Sequence, residues 1–363
     1  MPNLPLLLTL LSLPYQATTL SPLWVPTTPQ TAHPYALKKG HGLPLGGGNT
    51  FPITGNSSGG AFCLLNTNAA GSPGPGVFPH VHKKTYENFY AVKGRVQLWG
   101  QNLDSFIANT SVQQTRVLSA GDIGAIPWNT IHTFRLLEPD TQLTGVLVPG
   151  GFEEFFFHMG DSPPGALPGA GGFDVAGLAG WDVYPQLNFT PRRDVVNGKA
   201  GPGNWYDGPN VLPGDAAAPI WIAKGYGPKY LVEEAGRYQI VAPFVTGRET
   251  NGSFSQGTIT LNPGTGEVGR VTSPVATAFM MEEGQLEVVV DGYEVASLID
   301  GDIVFVPANV SFSYRAVAEF TKFMYVTGGG KGIDQLLIAK GRAWNSAFYP
   351  ATKLGPVRMM ARV

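Results

Sequence analysis

The chain has 363 residues and a formal charge of −2, so there is no cationic field to attract nucleic acid or an anionic membrane surface, and a small neutral substrate is favoured. Hydrophobic residues make up 43% and charged residues 14%, which excludes the disordered class and leaves room for about two hydrophobic cores. A single cysteine, Cys63, excludes an internal disulfide or a thiolate cluster and reads as a buried thiol.

The first segment, MPNLPLLLTLLSLPYQATT, has an apolar stretch from Leu4 to Leu13, too short to span a bilayer. Residues 1–19 therefore read as a signal peptide, with cleavage near Ala17 or Thr19. Sequons at Asn56, Asn109, Asn188, Asn251 and Asn309 fit passage through a secretory pathway, and hence a secreted glycoprotein.

Next come strand-like segments, ENFYAVKGRVQLWG and TQLTGVLVPG, assigned to a first unit at 20–160. Breakers such as SPPGALPGAGG and LPGDAAAP then mark a Gly/Pro-rich linker over 161–219. A second unit over 220–363 carries GQLEVVVDGYEVASL and DIVFVPANVSFSYRA, and only its tail, GIDQLLIAKGRAW, reads as helical. GDIGAIPWNTIHTF, Gly121 to Phe134, aligns without gaps on GDIVFVPANVSFSY, Gly301 to Tyr314. The fold class is thus all-β, two similar small barrels or sandwiches in tandem.

In PHVHKKTYENF, His80 and His82 lie two residues apart, so on a strand both point the same way while Val81 points to the other side. Glu87 has odd offsets from both, so Lys83, Lys84 and Thr85 must form a turn or bulge that returns it. His132 opens a later strand. Most histidines are surface residues or hydrogen-bonded core partners, and spacing alone leaves that reading open. Three imidazoles and a carboxylate would suit copper, iron, manganese, nickel or zinc without choosing among them. Phe89 and Phe134 each follow a candidate ligand by two residues and share its face, as pocket walls or as plain core. His33, His41 and His158 receive no role.

GPGVFPHVHKKTYENFYAVKG resembles the first cupin motif, with Gly74, His80, His82, Glu87 and Gly94 at its spacing. GDIGAIPWNTIH resembles the second, with Asn129 in place of a usual glycine and, just beyond, Leu136 in place of a usual asparagine. More narrowly, HVHKKTYENFY, QQTRVLSAGD, IHTF, GVLVPGGFEEFF, FTPRRDVVNG, GPKYL and YQIVAPFVT resemble the fungal quercetin 2,3-dioxygenases, secreted bicupins, from about His33 to Trp344.

The resemblance implies two cupin barrels (double-stranded β-helix, jelly roll) and one divalent metal per chain, typically copper(II). His80, His82, His132 and Glu87 would be its ligands, and Glu87 also the catalytic base, with a pKa near neutral set by burial against the cation. Flavonol and O2 would be the substrates, a depside and carbon monoxide the products. Tyr35 resembles a lid residue of the family and joins Phe89 and Phe134 as a substrate contact; a homodimer is left open. Aligned by the motif glycines, the second half carries Arg270, Thr272, Thr277 and Phe312 at the ligand positions and is expected to hold no metal. The alternatives are an oxalate-degrading bicupin, with Lys83 or Lys84 as the cation for a carboxylate, and a noncatalytic storage or sugar-binding cupin, whose motif should decay in both halves.

Overall fold

Strands that read as continuously apolar are those buried on both faces. In the computed structural model the strand Tyr86–Lys93 sends Phe89 and Ala91 inward to Val96, Leu98 and Leu136, and Tyr86 and Tyr90 outward to Phe244, Phe254 and Met280 of the other half. The structure describes residues 20–46, 49–71, 76–111, 113–159, 177–192, 210–234, 236–264, 269–346 and 349–350. The expected signal peptide, part of the expected linker and Gly74 lie outside them.

The first half builds a seven-stranded and a five-stranded sheet, the second an eight-stranded and a four-stranded sheet. The repeat read from the sequence is a repeat of topology. Ile123–Ile126 pairs with Tyr86–Lys93 as Ile303–Val306 pairs with Thr277–Glu283, and Thr130–Leu136 pairs with Arg95–Asn102 as Ser311–Ala316 pairs with Leu286–Val290. Gly94 and Gly284 turn the chain at matching points with φ of 71° and 79°; a Cβ on Gly284 would sit 2.2 Å from the Phe320 carbonyl oxygen.

The halves do not separate at the boundaries expected from the sequence. Tyr35–Leu37 pairs with Ile303–Val306 of the second half, and Ile220–Ile222 pairs with Ile123–Ile126 of the first. Each half therefore lends an edge strand to the other, covering an edge that would otherwise expose unpaired backbone groups. The exchange is latched twice in the same way: Asp122 accepts the backbone N–H of Lys224 at 2.7 Å, and Asp302 that of Lys39 at 3.0 Å. PYALKKG and PIWIAKG are the two lent segments. Their likeness is a short repeat outside the ligand motifs.

The tail helix is present at Ile333–Lys340, but short helices at Gly55–Ser58 and Leu103–Ile107 and a longer one, Glu153–Met159, were not expected. Two glutamates in its first turn favour the positive end of the helix dipole, while the aromatic run FFF masks its periodicity.

The contact between halves is partly polar. Asn88 donates to Gln256 Oε1 at 2.7 Å, both residues fully buried, and Tyr86 Oη donates to the Glu249 carbonyl at 2.6 Å. Asn88→Ala strands the Gln256 oxygen in an apolar contact and should lower unfolding free energy by about 1–3 kcal/mol. Urea denaturation reads this as a lower midpoint with unchanged slope.

Candidate metal centre

Antiparallel register brings the histidines together. His80 lies in the short strand His80–Val81 and is the direct partner of His132 in Thr130–Leu136. Val81 points away into a separate cluster with Trp99, Ile131 and Phe189, as the alternation requires. Glu87 comes from the facing sheet, on Tyr86–Lys93. Ring centroids lie 4.3 Å apart for His80 and His132, 4.8 Å for His80 and His82, and 5.3 Å for His82 and His132. One ligand atom from each of the four side chains falls within 4.8 Å of the others, the one such group among the described residues.

Each imidazole is oriented by a carbonyl. Nδ1 lies 2.9 Å from the Phe78 oxygen in His80, 2.7 Å from that of Asp182 in His82, and 3.0 Å from that of Thr130 in His132. A carbonyl only accepts, so Nδ1 carries the proton and Nε2 is left as the ligand atom. Glu87 Oε2 is 3.2 Å from Nε2 of His82 and 3.0 Å from Nε2 of His132. Two ligands each about 2.0–2.1 Å from an ion lie roughly 2.9–3.4 Å apart for angles between square and tetrahedral. The donor set, with the Glu87 spacing to His82 and to His132, therefore fits a divalent transition metal.

The turn required by the odd offset of Glu87 is present. The backbone N–H groups of Lys83, Lys84 and Thr85 all donate to the Asp182 carboxylate, at 2.9, 3.0 and 2.9 Å. Lys83 and Lys84 are exposed, and the Lys83 ammonium sits 4.1 Å above the Tyr184 ring.

Burial works against the charge of Glu87, yet when His132 and His82 carry a proton on Nε2 as well as Nδ1 their hydrogen bonds outweigh it and hold the carboxyl below the usual carboxylate range. Burial, reinforced by the neighbouring imidazoles His132 and His82, pushes His80 well down. His82 moves up: burial lowers it, but its contacts to Glu87 and Asp182 prevail.

The aromatic residues divide. Phe89 lies edge-on to His132 at 6.0 Å and 5.4 Å from Phe134, so both expected walls share the interior with the ligands. Tyr35 does not. It lies on the strand lent to the second half, is fully buried, packs 5.4 Å from Phe305, and donates to the Pro52 carbonyl at 3.0 Å. A tyrosine locked in the core between the halves cannot serve as a lid.

Sequence reasoning missed two neighbours. Phe152, just before the helix Glu153–Met159, stands edge-on to His82 at 4.8 Å. Asp182 lies in the stretch read as plain linker. The aromatic run GGFEEFFFH was a usable signal for Phe152; nothing in WDVYP marks Asp182.

The second half needs a one-residue correction. Phe312 pairs with Val271, and Asn309 N–H donates to the Ser273 carbonyl just as Asn129 N–H donates to that of His82, each at 2.7 Å. Val271 and Ser273, not Arg270 and Thr272, therefore match His80 and His82, because the turn before Thr277 is one residue shorter than the one before Glu87. Val271, Ser273, Thr277 and Phe312 offer no imidazole or carboxylate. Arg270 instead pairs with Asp291. Asn129 and Asn309 have φ of 59° and 62°, which explains the asparagine at a usual glycine: Asn enters the left-handed region at little cost. Leu136 is buried core, and Cys63 is a fully buried free thiol.

Two β-units of one topology, one bearing a three-histidine, one-glutamate centre and the other without its counterpart, define a bicupin with a single metal-binding group among the described residues. Over 320 residues, 83% of this chain and 89% of the relative, it is 43% identical to a curated quercetin 2,3-dioxygenase from Aspergillus japonicus. The chain belongs to the quercetin 2,3-dioxygenase family. A quercetin 2,3-dioxygenase from Bacillus subtilis is 32% identical over 142 residues, 38% of each chain. Among solved structures, the oxalate decarboxylase–formate complex of Lactobacillus farciminis overlaps 78% of this chain and 82% of its own at a TM-score of 0.47 and 12% identity. No family model matches the chain.

Proposed function

We propose that this chain is a secreted, copper(II)-dependent dioxygenase that cleaves the heterocyclic ring of flavonols such as quercetin with O2, giving a depside and carbon monoxide. The observation carrying the reading is the convergence of three oriented Nε2 atoms and one carboxylate beside aromatic walls, in a chain of this family. Copper(II) suits the set because imidazole ligands favour it and it tops the divalent affinity order. When bound it supplies a Lewis acid for an enolate oxygen and a one-electron acceptor.

The protein's own contribution begins with the proton. A flavonol carries a 3-hydroxyl beside a 4-carbonyl, and its anion is the electron-rich form that reacts with O2. Glu87 is more open than the two imidazoles beside it, at 13% exposed against 2% for His82 and 1% for His132. Its carboxylate takes the hydroxyl proton. Phe89 and Phe134, with Phe152 beside His82, flank a flat aromatic substrate and keep water from the nascent anion. Carbon monoxide release and O2 uptake with quercetin test the reaction; formate or carbon dioxide from oxalate, with neither response to quercetin, would replace it by the oxalate reading. Lys83 and Lys84, on the exposed turn, give that reading no support.

The asparagines of all five sequons are exposed. On this reading they carry N-glycans, Asn309 on the half without the centre. Endoglycosidase treatment of protein from its natural host should increase gel mobility stepwise; no shift would remove the secretory reading.

A further inference from the structure

Two of the three histidines take their orienting carbonyl locally, two residues back: Phe78 for His80 and Thr130 for His132. His82 takes its carbonyl from Asp182, 100 residues away, at the shortest distance of the three. The same residue's carboxylate receives three consecutive amides of the turn Lys83–Thr85, Lys83 on Oδ1 and Lys84 and Thr85 on Oδ2. That turn joins His82 to Glu87. Asp182 is itself held in the left-handed region at φ 61°, its N–H donating to the Ala179 carbonyl. Next to it Trp181 stacks on His158 at 5.0 Å, and Tyr184–Pro185 pairs with His80–Val81. The segment between the halves is thus built into the centre's edge.

We propose that Asp182 is the positioning residue of this centre, setting the ring of His82 through its carbonyl and the approach of Glu87 through its carboxylate. An anion collecting successive backbone N–H groups makes a rigid nest, which defines a turn more tightly than scattered single bonds. The carboxylate adds to the pairing of Tyr184–Pro185 with His80–Val81 and fixes where the carbonyl meets His82. The inference rests on the metal-centre reading above, but it concerns a residue that touches neither substrate nor ion.

The test is Asp182→Asn and Asp182→Gly in the full chain, loaded with copper(II). Asparagine tolerates the positive φ but places an NH2 against N–H donors; glycine relaxes the backbone and deletes the carboxylate. Loss of an outer partner of a metal ligand costs about 10–100-fold in metal affinity or activity. Both variants should release copper(II) to a chelator roughly 10–100 times faster, with an altered electron paramagnetic resonance spectrum. kcat should fall while KM changes little, since Phe89 and Phe134 are untouched. Either variant, folded by circular dichroism, keeping the wild-type spectrum and release rate overturns the proposal. So does failure of both to fold, which would make the carboxylate a prop of the fold alone. Wild-type protein that takes up no copper(II) would instead remove the metal-centre reading.

Discussion

Glutamine in place of Glu87 is expected to lower flavonol turnover by about 10²–10⁴-fold, the usual worth of a positioned proton acceptor. The amide matches the carboxylate in shape and can still offer an oxygen to one imidazole, but it cannot hold the hydroxyl proton. The loss should fall on kcat more than on KM, because the apolar walls that receive the rings are unchanged. Glu87 Oε2 lies against His82 and His132 rather than in the contact between halves, so the unfolding midpoint should move little. Steady-state kinetics with quercetin, beside a thermal melt, decides the matter: turnover within a few-fold of wild type removes Glu87 as the base.

Alanine at His132 should cost metal and activity together. His132 is 1% exposed, its Nδ1 is committed to the Thr130 carbonyl, and its Nε2 approaches Glu87 at 3.0 Å, so no other described side chain stands ready to take its place. Its loss removes a ligand itself and should exceed the roughly 10–100-fold cost of losing an outer partner. Its strand remains hydrogen-bonded to Arg95–Asn102 from end to end, so the sheet persists. Metal per chain after dialysis is the measurement, and one equivalent retained at wild-type affinity would remove His132 from the ligand set. Glu87→Gln and His132→Ala should part company on that same measurement, the first keeping far more metal than the second.

Much of this protein follows from neighbours along the chain. Period-two alternation puts His80 and His82 on one face and Val81 on the other, and it makes Phe89 share the interior with Glu87. The odd offset of Glu87 requires a turn at Lys83–Thr85 whatever the fold around it. The matched Gly-Asp turns at Gly121 and Gly301 announce two units of one kind, and the missing imidazoles mark the second as the one without a metal. These are consequences of backbone geometry over a few residues, where the fold has little freedom to intervene.

What the sequence could not disclose depends on contacts between segments far apart in it. Pairing of Tyr35–Leu37 and Ile220–Ile222 with opposite halves is set by which sheet edge each reaches in space, and it turned Tyr35 from an expected lid into core. The one-residue slip that puts Val271 and Ser273 opposite the ligand positions appears only in strand register. Asp182 had no motif to declare it, because its value to His82 and Glu87 lies in a docking across 100 residues. Strand periodicity is a local property of the backbone; edge choice, register and docking are energies of the assembled whole.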